Sequence, residues 1–291
     1  MNAILWLALT ACAETEGNVE SAFDYLEEGD FVIEDSHVNI FKSFEFFGMD
    51  ENGFADGINL DGIVSENGDE ETCGHEDLTN ADGETGIDNQ FGKLWNTIGP
   101  VLGAGTGLLQ GAINEGRVLI AIEFKDLDDL YNDDDVTLSV FPVVGDPFIG
   151  ALGTIAPDQT YYVHPDTPLS TVTGVEIVNG QFTGGPFEFI MPISILEAEF
   201  DTVVRKAQVK GSIDEDGQID GIMGFGLDVD QVLDEALQTD AAEEFEAVEP
   251  IFRFNADMEN NGDECEQFSV GWRFNGASGF VVRSEQVEAG K

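Results

Sequence analysis

The chain has 291 residues, 59 of them acidic and 11 basic, for a formal net charge of −48. Such an excess repels nucleic acid and anionic membrane surfaces, so neither is expected as a partner. With 42% hydrophobic residues and 22 phenylalanines there is ample material for a core, and the charge points to a halophilic, saline adaptation or to carboxylates that hold cations.

Residues 3–11, Ala-Ile-Leu-Trp-Leu-Ala-Leu-Thr-Ala, form an apolar run of signal-peptide length, about half of what a bilayer span needs. The run ends in Leu9-Thr10-Ala11-Cys12, which resembles the lipobox of bacterial lipoproteins, whose cysteine becomes the lipidated first residue of the mature chain. Residues 1–11 are therefore expected to be a signal segment, and 12–21 a polar tether behind a lipidated Cys12. Residues 22–285 are expected to form a single β-rich domain. Ala13 is not the aspartate that retains lipoproteins at the inner membrane, so anchoring at the outer membrane, on its periplasmic or outer side, is expected.

From Phe31 to Phe47 the chain reads as strand, with alternation at Val38-Asn39-Ile40 and Phe44-Glu45-Phe46. His37 is expected to be a satisfied sheet-face residue rather than a ligand. Asx-Gly steps at Asn52-Gly53, Asp56-Gly57, Asp61-Gly62 and Asn67-Gly68 then mark a loop-rich stretch leading into the acidic segment Cys73–Gln90. Apolar residues at 87, 91, 94, 95 and 98 have helical spacing, and a second short helix or apolar loop is expected up to Asn114. The glycines between them lack the Gly-Lys-Ser/Thr ending of a phosphate cradle. Residues 117–124 and 136–141 read as a buried hairpin across the acidic turn 126–135.

A weak repeat follows, in which Gly174 to Gly184 matches Gly211 to Gly221 around Asn179-Gly180-Gln181 and Asp216-Gly217-Gln218. Each copy reads as a hairpin with a type I′ turn, and together they suggest an antiparallel meander. Leu227 to Phe245 reads as one amphipathic helix capped by Asp228, with Val229, Val232, Leu233, Ala236 and Leu237 on its apolar face. Alternation then predicts two strands with one buried face, the first through Phe252, Phe254 and Ala256, the second through Phe268, Val270, Trp272 and Phe274.

The chemistry-bearing residues name no substrate. His75, His37 and His164 do not assemble a triad by spacing, and there is no Gly-x-Ser-x-Gly elbow. Cys73, His75, Glu76 and Asp77 lack the second Cys or His pair that a structural zinc site needs. Paired carboxylates of a secreted hydrolase carry no weight among 59 acids, which pair by chance. Calcium is the better ion: Asp77, Asn80, Asp82, Glu84 and Asp88 offer oxygens around Gly83, and Asp257, Glu259 and Asn261 offer a second set. Neither loop is an EF-hand, since Leu78 and Phe268 occupy positions that need acids. With Cys12 lipidated, Cys73 and Cys265 remain for a disulfide in an oxidising compartment.

Four stretches look like those of a family of uncharacterised lipoproteins of myxobacteria and related bacteria. They are Asn59-Leu60-Asp61-Gly62, Gly86-Ile87-Asp88-Asn89-Gln90, the repeated Asp/Asn-Gly-Gln hairpin, and Cys265-Glu-Gln-Phe-Ser-Val-Gly-Trp-Arg-Phe. The resemblance implies a secreted, lipid-anchored, β-rich protein and nothing catalytic. The combined expectation is an α+β, mainly β fold, an antiparallel sheet or sandwich with two helices. It would serve as a non-enzymatic envelope module, calcium-stabilised at the acidic loops. The rival readings are a carrier of an apolar ligand, marked by a dry Phe-lined cavity, and a hydrolase, marked by carboxylates in an open cleft.

Overall fold

A computed structural model describes residues 31–33, 36–98, 105–163, 167–195, 198–239 and 242–284. The signal segment, the tether, Cys12 and His164 lie outside the described residues. The elements run β1 (Phe31–Ile33), β2 (His37–Phe46), β3 (Leu78–Thr79), β4 (Thr85–Ile87), α1 (Gln90–Ile98), α2 (Gly105–Asn114), β5 (Ile120–Lys125) and β6 (Asn132–Pro142). They continue as β7 (Gln159–Val163), β8 (Ser170–Val178), β9 (Gln181–Ile195), β10 (Ala198–Ile213) and β11 (Ile219–Asp228). The last are α3 (Val229–Ala236), α4 (Ala242–Asn255), β12 (Met258–Asn260) and β13 (Cys265–Ser284). The class is α+β and mainly β.

Eight strands pair antiparallel in chain order, β2-β5-β6-β8-β9-β10-β11-β13, and β13 returns to β2 through Phe46↔Trp272 to Val38↔Gly279. The sheet therefore closes into a barrel-like ring, which leaves no unpaired edge along that path. Beyond the ring, β13 also pairs with β1, β12 and, in parallel, β7.

The interior is filled by side chains. Phe124 of β5 and Phe182 of β9 meet across the ring with centroids 5.0 Å apart, although two strands separate them in the sheet. Phe41 stacks on Phe274 at 4.5 Å, and Trp272 lies 4.3 Å from Phe44 and 4.8 Å from Phe225. The helices gather where β2 ends and β13 begins: Phe91 of α1 packs on Phe46, and Phe252 of α4 on Phe268. At the opposite end His37 donates from Nε2 to the Gly217 carbonyl at 2.6 Å, as expected of a satisfied histidine.

The predicted 117–124/136–141 hairpin is β5–β6, and the repeat forms the meander β8 to β11. The first repeat turn has positive φ at both Asn179 and Gly180, as type I′ requires. The second is not type I′: only Gly217 has positive φ, because the Asp214 carboxylate accepts the N–H groups of Asp216 and Gln218 and holds a wider loop. The single helix expected over 227–245 is two, α3 and α4, after β11 has taken Leu227 and Asp228. Asp228 does cap α3, accepting from Gln231 N at 2.9 Å, whereas Leu237 is exposed. In place of the strand expected at Phe252, Phe254 and Ala256, the first two belong to the end of α4 and Ala256 lies just beyond it. The short alternation misleads, since Phe254 points to solvent and Arg253 pairs one turn back with Glu249 and across with Asp230.

Candidate functional site

On the outside of β11 and β13 the barrel wall is covered by residues 54–90, which form a flap between β2 and α1. Outward positions of β13 read Gln267, Ser269, Gly271, Arg273 and Asn275, the composition of a wall built to face water. Yet Gln267, Ser269 and Gly271 are buried, and the flap lies on Ser269 and Gly271 through Gln90 and Asn89. The approach is close: a Cβ on Gly271 would sit 3.0 Å from Asn89 Nδ2, and one on Gly224 of β11 would sit 3.1 Å from Leu60 Cδ2. Only small apolar clusters accompany it, Ile58, Leu60 and Met258 in one and Ala55, Leu78 and Ile87 in another.

Polar contacts do most of the joining. Asn89, wholly buried, accepts from Gly271 N and Gly92 N and donates to the Asp56 carbonyl, which ties flap, barrel and the start of α1 together. Gln90 N donates to Ser269 Oγ at 2.8 Å, and Ser269 donates in turn to Asp257 Oδ2 at 2.5 Å. His75 donates from Nε2 to the Phe254 carbonyl of α4 and accepts at Nδ1 from Gln90 Nε2, so the neutral ring is fully used. Arg273 pairs with Asp56 at the flap's margin.

Two carboxyl groups lie in this layer. Asp88 is 2% exposed and Asp257 6%. Asp88 Oδ2 accepts from Leu60 N at 2.6 Å and Asp61 N at 3.3 Å, and Asp257 Oδ1 accepts from Ser269 N at 2.8 Å. No cation of the described residues lies within ion-pair distance of either. Burial, and then the negative charge of Asp61, raise the Asp88 pKa to about 8; burial raises that of Asp257 to about 7 against the hydrogen bonds from Ser269. Asp77 is raised by burial as well, although it accepts from Ser65 N at 2.6 Å. Lys93 of α1 reaches the Glu76 carbonyl, and burial lowers its pKa, as it lowers that of His75.

The residues expected to hold calcium, five in one set and three in the other, are spread out within each set. Asp88 and Asp257 share the buried layer, with Asp77 at its edge. Asn80, Asp82 and Glu84 form the exposed tip of the β3–β4 hairpin, where Asn80 Oδ1 accepts from Asp82 N and Glu84 N and Glu84 pairs with Lys210. Glu259 pairs with Lys206, and Asn261 closes its own turn by accepting from Asp263 N and Glu264 N. Among the described residues no three His, Cys, Asp or Glu side chains are grouped to hold a metal ion.

Cys73 and Cys265 are joined by a disulfide with Cα atoms 6.0 Å apart, which fastens the middle of the flap to the start of β13. Beside it lies an open groove of about 700 Å³ lined by Asp69, Glu70, Glu71, Asn260 and Asp263. The sequence reading missed Asn89, Gln90, Lys93 and Ser269 as members of the layer. A signal for them exists in the small outward residues Gly224, Gly226, Ser269 and Gly271 on neighbouring strands, which leave room for backbone to approach.

Ser269 Oγ is buried, donates to the Asp257 carboxyl and accepts from Gln90 N. Comparison of the chain with family models, curated proteins and solved structures finds no match in any of the three.

Proposed function

We propose that this chain is an exported, lipid-anchored module of a bacterial cell envelope that works as a structural or binding element rather than as a catalyst. The observation that carries the reading is the Cys73–Cys265 disulfide, because such bonds persist in oxidising compartments outside the cytosol. It agrees with the apolar run that ends at Cys12 and with the resemblance to secreted lipoproteins. The filled barrel interior weighs against a carrier of apolar ligands. Labelling with radioactive palmitate in a lipoprotein-processing bacterium tests the anchor. The wild-type chain should take up label and sediment with membranes, while Cys12→Ser should do neither. A wild-type chain that takes up no label overturns the anchored reading.

A further inference from the structure

We propose that the loop 147–157, between β6 and β7, is a second membrane contact that seats Phe148 and Leu152 in the interface of a zwitterionic lipid surface. The proposal rests on the anchored reading for the membrane it meets, and deepens it by fixing which end of the barrel faces the lipid. Phe148 is 71% exposed and Leu152 94%, whereas Ile149 packs against the core and Ile155 lies in it. Core burial is thus supplied by the two isoleucines, which are bridged to each other, and the loop's other two large apolar side chains are left in water. The tip is also uncharged: Pro-Phe-Ile-Gly-Ala-Leu-Gly-Thr-Ile-Ala-Pro runs from Asp146 to Asp158 without an ionisable group, in a chain of which 24% is charged.

Several features select lipid over other occupants. Much of the loop's polar backbone is already paired, so little hydration is lost on entering an interface. Gln159 accepts from Phe148 N at 2.6 Å and donates to the Phe148 and Ala156 carbonyls, and Asn114 of α2 donates to the Gly153 carbonyl at 2.8 Å. Gly150 N and Gly153 N donate within the loop, to Thr154 O and Gly150 O. The contact is a protruding tip, where a small-molecule ligand needs a concavity. A second copy would bring its own net charge of −48 against the first, and an anionic lipid surface is repelled in the same way, whereas a neutral headgroup layer is not. The chain also permits the contact. The loop leads into Gln159, which pairs with Gly279 of β13, and Phe31 of β1 pairs with Ser284, about 17 Å farther along the same strand. From Phe31 back to Cys12 the chain reaches about 60 Å at full extension, enough for an anchor at Cys12 and the tip to share one bilayer surface.

A polarity-sensitive fluorophore on Ala151→Cys tests the tip in the oxidised full-length chain, with Cys12→Ser so that position 151 holds the only thiol. Phosphatidylcholine vesicles should raise its emission and shift it to the blue, and spin-labelled acyl chains should quench it. The same dye on Thr173→Cys, exposed on β8, should stay aqueous. Phe148→Ser/Leu152→Ser should raise the lipid concentration for half-maximal response at least about tenfold and leave the urea midpoint unchanged, since neither side chain is in the core. Phosphatidylglycerol mixed into the vesicles should weaken binding at low salt. The proposal is overturned by a tip dye that stays in water at millimolar lipid, by equal responses at 151 and 173, or by a response unaltered in the double variant. Tighter binding to the anionic vesicles, or a dimer that the double variant dissolves, overturns it as well. Palmitate labelling reads the anchor separately: label without a tip response sinks the loop alone, and a tip response without label sinks the anchor alone.

Discussion

Arg283 near the end of β13 grips Glu123 of β5 with two hydrogen bonds, Nη2 to Oε2 at 2.7 Å and Nη1 to Oε1 at 3.1 Å. The carboxylate is fully buried, takes a further hydrogen bond from Ser36 Oγ, and lies 3.9 Å from Lys125, while the guanidinium stacks over Phe141. Removing Arg283 takes the two-pronged donor away from a fully buried carboxylate and leaves the more distant Lys125 ammonium and the Ser36 hydroxyl beside it. Arg283→Met should cost about 3–5 kcal/mol in urea unfolding, and Arg283→Met/Glu123→Leu should cost less than the single variant. A single variant within 1 kcal/mol of wild type by that measurement would show that the pair is not coupled.

Stability should fall as the pH rises from 5 to 9. Asp88 and Asp257 have folded pKa values of about 8 and about 7, above the ordinary carboxylate value of about 4, so folding favours their protonated forms. Their contribution is complete below the unfolded value and is lost as the pH passes through the folded ones, a change on the order of a few kcal/mol. His75 acts in the opposite sense: burial lowers its pKa, so its contribution is present above the unfolded value and lost in acid. Thermal midpoints measured across this range should thus peak on the acid side of neutrality, and Asp88→Asn should flatten the alkaline limb. A midpoint rising from pH 6 to 9 would contradict the burial of these acids.

Cys73 and Cys265 stand 192 residues apart, so their bond closes most of the domain into one loop. In the chain-entropy model this constraint is worth on the order of 5 kcal/mol. Cys73→Ala/Cys265→Ala should accordingly unfold at markedly lower urea, and Ellman's reagent should find no thiol at either position in the denatured, unreduced wild type. Two reactive thiols there would mean that the bond does not form.

Added NaCl should raise the unfolding midpoint, since screening relieves the repulsion among 48 uncompensated charges. Calcium chloride at matched ionic strength separates screening from specific binding, because screening alone gives the same rise. An additional rise of several degrees with calcium, reversed by EDTA, would point instead to the acidic groove beside the disulfide.

Local pattern made much of this fold legible. Alternation announced β13, Asn179-Gly180 announced a tight turn, and Asp228 announced the start of a helix, because each signal acts within a few residues. The partner of β2 was hidden: Phe46 and Trp272 are far apart in sequence and nothing local ties one to the other. The last turns of α4 were misread because two phenylalanines spaced by two suit a strand as well as a helix end. In the candidate site, the sequence picks out Asp88 and Asp257, but as two of eight oxygen-bearing residues and as cation ligands. Asp88 and Asp257 differ from the other carboxylates only in what lies above them, and that is decided by tertiary packing.

The many partners of β13 bear on the order of assembly. That strand follows every one of them along the chain, and it supplies both the join to β2 and the second half of the disulfide. A nascent polypeptide lacking it has a meander with two raw margins that cannot yet close on itself. Closure of the ring and formation of the disulfide must therefore wait until residues 265–284 are made, so the longest-range contacts of this fold are also its last.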